Sequence, residues 1–256
     1  MPAVSSPHRV LSSALALGER MLVCGAEVGR VENTLNLTLH AMGAVRTEVF
    51  SITNNIIATI EMPNGSTYTQ SKRIRDGQYH LQKLEALNQL SRDICAGFLT
   101  PGDIDKRLAA IDDMAPWPVY IQLLIYPFIA CVLSLFFGGS FIDAAAAAIA
   151  SLAVFALQQA CKEARAYRFL TSLLSALAGG VAAMLLVRCG IGEHIDKICI
   201  GNVMLLIPGL ALTNGVRDLF SGDTVSGLMR LADALLTALA VGFGFVFAAV
   251  LTGGAL

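Results

Sequence analysis

The order of apolar and polar positions divides the chain into an amphipathic first part and an apolar second part. Up to residue 116, apolar residues recur three or four positions apart, as on the buried face of a helix, or alternate with polar residues, as in a half-buried strand. From Val119 onwards, apolar runs approach the ~20 residues that a helix needs to cross a bilayer. The pattern predicts an α+β domain over residues 1–116, followed by an all-α membrane domain over residues 117–256.

Four helices and three strands are predicted in the first domain. The helices cover residues 12–24, 27–42, 76–95 and a shorter segment from Thr100, and the strands cover 45–50, 55–62 and 67–72. Asn64 and Gly65 predict the turn between the last two strands, because this dipeptide accepts positive φ angles. Thr100, Pro101 and Asp103 form a capping pattern that predicts the start of the last helix.

Five transmembrane helices are predicted in the second domain. They cover residues 119–137, 141–157, 169–187, 195–213 and 231–252. The fourth contains Pro208 followed by Gly209, and it should break there, because the proline ring removes one amide and clashes with the carbonyl of Met204. Five crossings place the two ends of the chain on opposite sides of the membrane.

Composition supports a membrane protein and excludes other classes. Only 14% of the residues are charged and the mean hydropathy is +0.65, whereas about a quarter of a soluble domain is charged. The net charge of −1 gives no basic surface for nucleic acid. The six cysteines lack metal spacing, and the sequence contains no phosphate-binding loop, so no metal, cofactor or ATP site is predicted. A disulfide between Cys189 and Cys199 stays open, and the N-terminus does not predict a cleavable signal.

Loop charges predict that the first domain is cytoplasmic. In that orientation the inner loops contain five basic residues and the outer loops two, which agrees with the excess of positive charge on the inner side of membrane proteins. The inner residues are Lys162, Arg165, Arg168, Arg217 and Arg230, and the outer residues are Arg188 and Lys197. The C-terminus is then expected outside.

A polar cluster surrounds the predicted break and suggests a binding site. A carbonyl freed within the bilayer needs protein or a water-filled cavity to satisfy it, as at the broken helices of carriers. The candidate substrate-binding residues are Asn202, Pro208, Gly209, Thr213, Asn214, Arg217 and Asp218. Arg217 is the strongest of them for a carboxylate, because a guanidinium binds that group through two parallel hydrogen bonds. The alternative is that Arg217 is an interfacial anchor paired with Asp218.

Acidic residues near helix ends are the candidates for proton coupling. Asp143 and Asp233 lie close to the start of predicted membrane helices, where burial would favour their protonated form. The alternative role for both is a helix cap. In the first domain, Glu27, Arg30 and Glu32 could resemble an acid–base site, but no catalytic motif accompanies them and a solvated helix face is favoured.

Four segments in this order resemble the threonine/serine exporter family. They are CGAEVGRVENTL (24–35), TNNIIATIE (53–61), SKRI (71–74) and LLIPGLALTNGVRDLFSGD (205–223). The resemblance covers nearly the whole chain and is to the N-terminal half of the family, a cytoplasmic domain followed by five helices. In fused members a second hydrophobic bundle follows, whereas split members have it as a separate small subunit.

The resemblance implies the larger subunit of a split exporter in a bacterial inner membrane. Its expected partners are a small carboxylate substrate, membrane lipid and a small hydrophobic subunit corresponding to the C-terminal half of the family. Split systems are associated with succinate and fused ones with threonine and serine, so both substrate classes stay open. A secondary carrier that uses the proton gradient is expected, with a membrane-anchored enzyme or a non-transporting scaffold as alternatives.

Overall fold

A computed structural model describes residues 6–75, 77, 79–164 and 166–253 of the chain. The helices are α1 (Pro7–Val23), α2 (Val28–Ala41), α3 (Leu81–Cys95), α4 (Pro101–Asp112), α5 (Val119–Phe136), α6 (Phe141–Glu163), α7 (Arg168–Arg188), α8 (Ile195–Val203), α9 (Gly209–Phe220) and α10 (Thr224–Thr252). The strands are β1 (Arg46–Ile52), β2 (Asn55–Glu61) and β3 (Thr67–Arg73). The chain forms two compact units, one comprising the residues up to Ala115 with Leu210–Leu231, the other Pro116–Gly209 with the residues from Ala232.

The first unit packs α1 to α4 and a three-stranded antiparallel sheet around one apolar core. On β2, the inward-facing Ile56, Ala58 and Ile60 are fully buried, as the alternating pattern predicts. The capping box of Thr100 and Asp103 at the start of α4 is confirmed. The predicted start of the third helix at Asp76 lies outside the described residues, and α3 begins after His80, whose ring accepts a hydrogen bond from the amide of Lys83.

The predicted fold class, an α+β domain followed by five transmembrane helices, is wrong. Four described helices are long and apolar enough to cross a membrane, namely α5, α6, α7 and α10. The predicted fourth crossing is instead two short helices, α8 and α9, and the nine residues of α8 rise only about 14 Å, against ~30 Å of hydrocarbon. The described residues are mainly helical with one small sheet, and no large α+β domain stands apart among them, because residues 210–231 join the first unit.

The break at Pro208 is therefore longer than a kink. The helix ends at Val203, and the turns over residues 204–208 precede the new helix at Gly209. The predicted C-terminus on the outside depended on five crossings, whereas four described helices are fit to span. Leu256 and the loop residue Arg165 lie outside the described residues. Whether residues 1–116 form an independent domain stays a prediction.

Small residues bring the helices of the second unit into close contact. A Cβ atom added at Gly179 would lie 2.6 Å from Val154 of α6, and one at Gly180 would lie 2.7 Å from Ala248 of α10, so this glycine pair lets α7 approach both helices closely. Helix α8 packs against α5, α6 and α7. Cys189 and Cys199 are both free, so the disulfide between them is not formed.

We expect Gly244→Val to destabilise the second unit while Gly242→Val does not. A Cβ atom at Gly244 would lie 2.5 Å from the carbonyl oxygen of Leu173 on α7, whereas nothing lies within 4 Å of one at Gly242. Overpacking of this kind costs about 1–3 kcal/mol. Thermal unfolding of the detergent-solubilised variants measures the difference, and equal unfolding temperatures for the two would contradict the contact between α7 and α10.

Candidate functional site

Two of the segments that resemble the exporter family meet within the first unit. The loop of residues 24–27, which joins α1 to α2, is bound by side chains of α9 and of the first turns of α10. Asn214 donates a hydrogen bond to the carbonyl of Gly25 over 2.9 Å, and Arg230 donates through Nη2 to the carbonyl of Ala26 over 2.6 Å. The structure thus joins residues about 190 positions apart in the sequence.

The loop depends on glycine at position 25. Gly25 has φ +94°, and a Cβ atom there would lie 2.3 Å from the ring of Tyr79. Both the left-handed backbone and the close ring exclude other residues. This turn directs the carbonyls of Gly25 and Ala26 towards α9 and α10 and places the amide of Val28 at the start of α2.

A buried ion pair between Asp218 and Arg230 forms the centre of the cluster. Asp218 is 1% exposed and Arg230 is 8% exposed, and Oδ2 of the first lies 2.9 Å from Nε of the second. The N–H bond of Nε does not point at Oδ2, so the contact is an ion pair without a directed hydrogen bond. Burial raises the pKa of Asp218, and the charge of Arg230 opposes that rise.

Asp218 also binds the N-terminus of α2. Its Oδ1 accepts a hydrogen bond from the amide of Val28 over 3.4 Å. Glu27 occupies the cap position of this helix but makes no capping bond with its side chain. The carboxylate of Asp218 therefore supplies the negative charge that the positive end of the helix dipole favours.

Arg217 lies at the edge of the cluster and pairs with Glu27. Its guanidinium donates a hydrogen bond to Oε1 of Glu27, and its side chain is 64% exposed. The pairing of Arg217 with Asp218 that was considered from the sequence is not formed, because Asp218 binds Arg230. From the sequence, Arg230 counts only as a basic residue of a loop, because nothing in its local pattern shows that an acidic residue of another helix lies beside it.

The remaining candidate substrate-binding residues lie around the break. Asn202 is fully buried in the second unit, where its Nδ2 donates to the carbonyls of Ile198 and Ala147. Its Oδ1 has no hydrogen-bond donor among the described residues. Pro208 and Gly209 are the last two residues of the segment Pro116–Gly209 of the second unit. Thr213 lies in the first unit, where its hydroxyl donates a hydrogen bond to the carbonyl of Leu210. Asn214, Arg217 and Asp218 thus lie together in the first unit. Asn202, Pro208 and Gly209 belong to the second unit.

The contacts of Asp143 are those of a helix cap and loop anchor. Its fully buried carboxylate forms a capping box with Ser140 at the start of α6. It also accepts hydrogen bonds from the amides of Glu193 and His194, over 2.7 and 3.0 Å, and its Oδ2 lies 2.9 Å from Nδ1 of His194. Asp233, the other candidate for proton coupling, is exposed on α10.

Comparison with known proteins places the chain in one family. The family model ThrE, described as "Putative threonine/serine exporter", matches residues 12–252. The "Probable succinate transporter subunit YjjP" of Escherichia coli is 25% identical over 234 residues, which cover 91% of this chain and 91% of that protein. The protein of the same name from Klebsiella aerogenes is 24% identical, with 91% and 90% covered.

A longer relative occurs in yeast. "Pheromone-regulated membrane protein 10" of Kluyveromyces lactis is 25% identical over 256 residues, and the match covers 93% of this chain but only 25% of that protein's length. No solved structure matches the chain. Because the family model spans nearly the whole chain, and four described helices are fit to cross a membrane, this protein belongs to the threonine/serine exporter family and is a multi-pass membrane transporter, not an enzyme.

Proposed function

We propose that the protein is the larger subunit of a two-component exporter of small carboxylates, with threonine, serine and succinate as the substrates to test. The family description names the two amino acids, and the two bacterial relatives are named as succinate transporter subunits. All three compounds carry a carboxylate at neutral pH. One observation supports a carboxylate site in particular: α9 and α10 hold two arginines, each paired with a carboxylate of the first unit.

Arg217 is the proposed first contact for the substrate carboxylate. An ion pair as exposed as that of Arg217 with Glu27 contributes only about 0–1 kcal/mol, so a substrate carboxylate can replace Glu27 at small cost. Glu27 would then be free to accept the ammonium group of an amino acid. Asn214 and Thr213 offer further polar contacts on the same helix.

The carrier is proposed to act by coupling to protons, because the sequence has no phosphate-binding loop. Asp143 and Asp233 were the acids predicted for this role from the sequence. Lys162 and Arg168, where α6 ends and α7 begins, support a cytoplasmic N-terminus. The two bacterial relatives support an inner membrane location. A reporter fused to the N-terminus is expected to report the cytoplasm.

A small hydrophobic subunit is the proposed partner, together with the surrounding lipid. The word "subunit" in the names of the two bacterial relatives supports it. A partner of the same family's C-terminal half is expected to be required for transport.

Excretion of labelled substrates tests this function. Cells that make the chain together with such a partner are compared with cells lacking the chain, after loading with labelled threonine, serine or succinate. Faster excretion of at least one compound, lost when either subunit is omitted, is the expected result. Equal excretion with and without the chain for all three would favour a non-transporting scaffold.

A further inference from the structure

The Asp218–Arg230 pair lies in a part of the chain that need not enter the bilayer. Helix α10 has 29 residues and rises about 43 Å, which exceeds the ~30 Å of hydrocarbon. Its segment from Ala232 to Thr252 belongs to the second unit and is long enough to cross alone. Arg230 precedes this segment, so a crossing by α10 does not require the Asp218–Arg230 pair to lie in hydrocarbon.

Both arginines of this cluster are held by carboxylates of the protein itself. Arg217 pairs with Glu27 at the surface, while Arg230 is buried with Asp218. A substrate carboxylate can bind Arg230 only if Asp218 gives it up. Separating two buried charges is unfavourable because it leaves an unpaired ion in a poorly solvated place, whereas a proton on Asp218 removes one of the charges first.

The surroundings of Asp218 favour a proton at that carboxylate. The groups that act on it are Arg230 from α10, the Val28 amide from α2, Asp223 from the turn before α10, and Glu27 from the loop before α2. Burial raises the pKa of Asp218, and the two neighbouring carboxylates raise it further because they repel its negative charge. Arg230 and the amide are the two groups that hold the carboxylate ionised, and a substrate carboxylate would use the same two donors.

We propose that Asp218 is a proton-sensitive gate of the substrate site: its protonation breaks the ion pair and frees Arg230, with the Val28 amide, for the carboxylate of the substrate. The proton comes from water and binds Oδ2, giving a neutral carboxyl group, while Arg230 stays protonated and exchanges one anionic partner for another. When the substrate leaves, Asp218 loses its proton to water and pairs with Arg230 again. Protonation of Asp218 and binding of the substrate carboxylate to Arg230 therefore favour each other.

This inference rests on the proposed function and deepens it. By thermodynamic linkage, a proton that strengthens carboxylate binding must itself bind more tightly when the carboxylate is present. Substrate affinity should then rise as the pH falls, by at most about tenfold per pH unit, because one proton is involved. The effect should disappear when position 218 cannot titrate.

Transport into inverted membrane vesicles tests the inference, with the chain and its partner made together. Uptake of radiolabelled succinate, with threonine and serine as further probes, is measured from pH 5.5 to 8 on the outer side of these vesicles. In the wild type, we expect apparent affinity to increase by up to about tenfold per unit as the pH falls. Asp218→Asn should remove this dependence, and Asp218→Glu should keep it. Asp223→Asn is the matched control, since it neutralises a neighbouring acid that does not pair with Arg230, and its profile should keep the wild-type slope.

A second measurement needs no variant and covers the case in which Asp218→Asn fails to fold. A pH-sensitive dye in weakly buffered solution should show proton uptake when succinate is added to the purified wild-type complex. Three results would each overturn the role of Asp218 and leave the exporter function standing. They are wild-type transport that does not depend on pH, no proton uptake when succinate is added, and an unchanged slope of affinity against pH in folded Asp218→Asn. Absence of transport for all three compounds would overturn both.

Discussion

Replacing Arg217 with alanine is expected to abolish carboxylate export while the protein stays folded. A charge pair that the bound substrate shields from water costs about 2–5 kcal/mol when one partner is truncated, which corresponds to a loss of roughly 30-fold or more in substrate affinity. The lost contact with Glu27 is exposed and should lower the free energy of unfolding by no more than about 1 kcal/mol. Efflux from loaded liposomes and thermal unfolding measure the two effects separately.

Arg107→Ala is the matched control for this variant. Arg107 pairs with Asp93 in the same unit, and its side chain is 52% exposed, similar to the 64% of Arg217. We expect a comparable small change in stability and no change in export. Efflux at the wild-type rate from the Arg217→Ala protein would place the carboxylate site elsewhere.

Asp143→Ala is expected to cause the largest loss of stability in the second unit. The buried carboxylate accepts hydrogen bonds from Ser140, from the amides of Glu193 and His194, and from the ring of His194 if that ring is protonated at Nδ1. Removing it leaves these donors unpaired, at a cost of about 3–5 kcal/mol. Thermal unfolding in detergent measures the loss. Asp196→Ala is the control, because Asp196 is exposed and pairs only with the adjacent Lys197.

His194 gives this anchor a pH dependence. The hydrogen bond that the His194 ring donates to Asp143, followed by the negative charge of Asp143, raises the pKa of His194 above the ordinary value of 6.5. Because the folded-state pKa is the higher one, the stabilisation is complete below about pH 6.5 and is lost as the pH rises through the folded-state value. The unfolding temperature should fall across that window in the wild type and stay flat in His194→Gln. The same slope in both proteins would show that His194 does not titrate against Asp143.

Much of the fold follows from local sequence. Thr100 with Asp103 starts a helix because a short polar side chain and an acid three residues later satisfy free amides, wherever the helix then packs. Four of the five predicted crossings appear as helices fit to span, since an apolar run of that length has few other stable structures. The break before Gly209 follows from the covalent geometry of Pro208.

The prediction of a fourth crossing is wrong because local composition does not determine where a helix packs. Residues 195–213 are apolar enough on average to span, but the proline separates them into two short helices, and the second contacts the loop of residues 24–27. That contact depends on complementary groups about 190 positions away, which no periodicity within the segment reports.

The sequence by itself determined the class of protein and most of the helical segments. Only the tertiary structure decided which charges pair: Arg230 with Asp218 in the interior, and Arg217 with Glu27 at the surface. The reason is physical. Apolar periodicity acts over neighbouring turns of one helix, whereas the energy of an ion pair depends on the distance between two charges and on their burial, and both quantities exist only once distant segments have folded together.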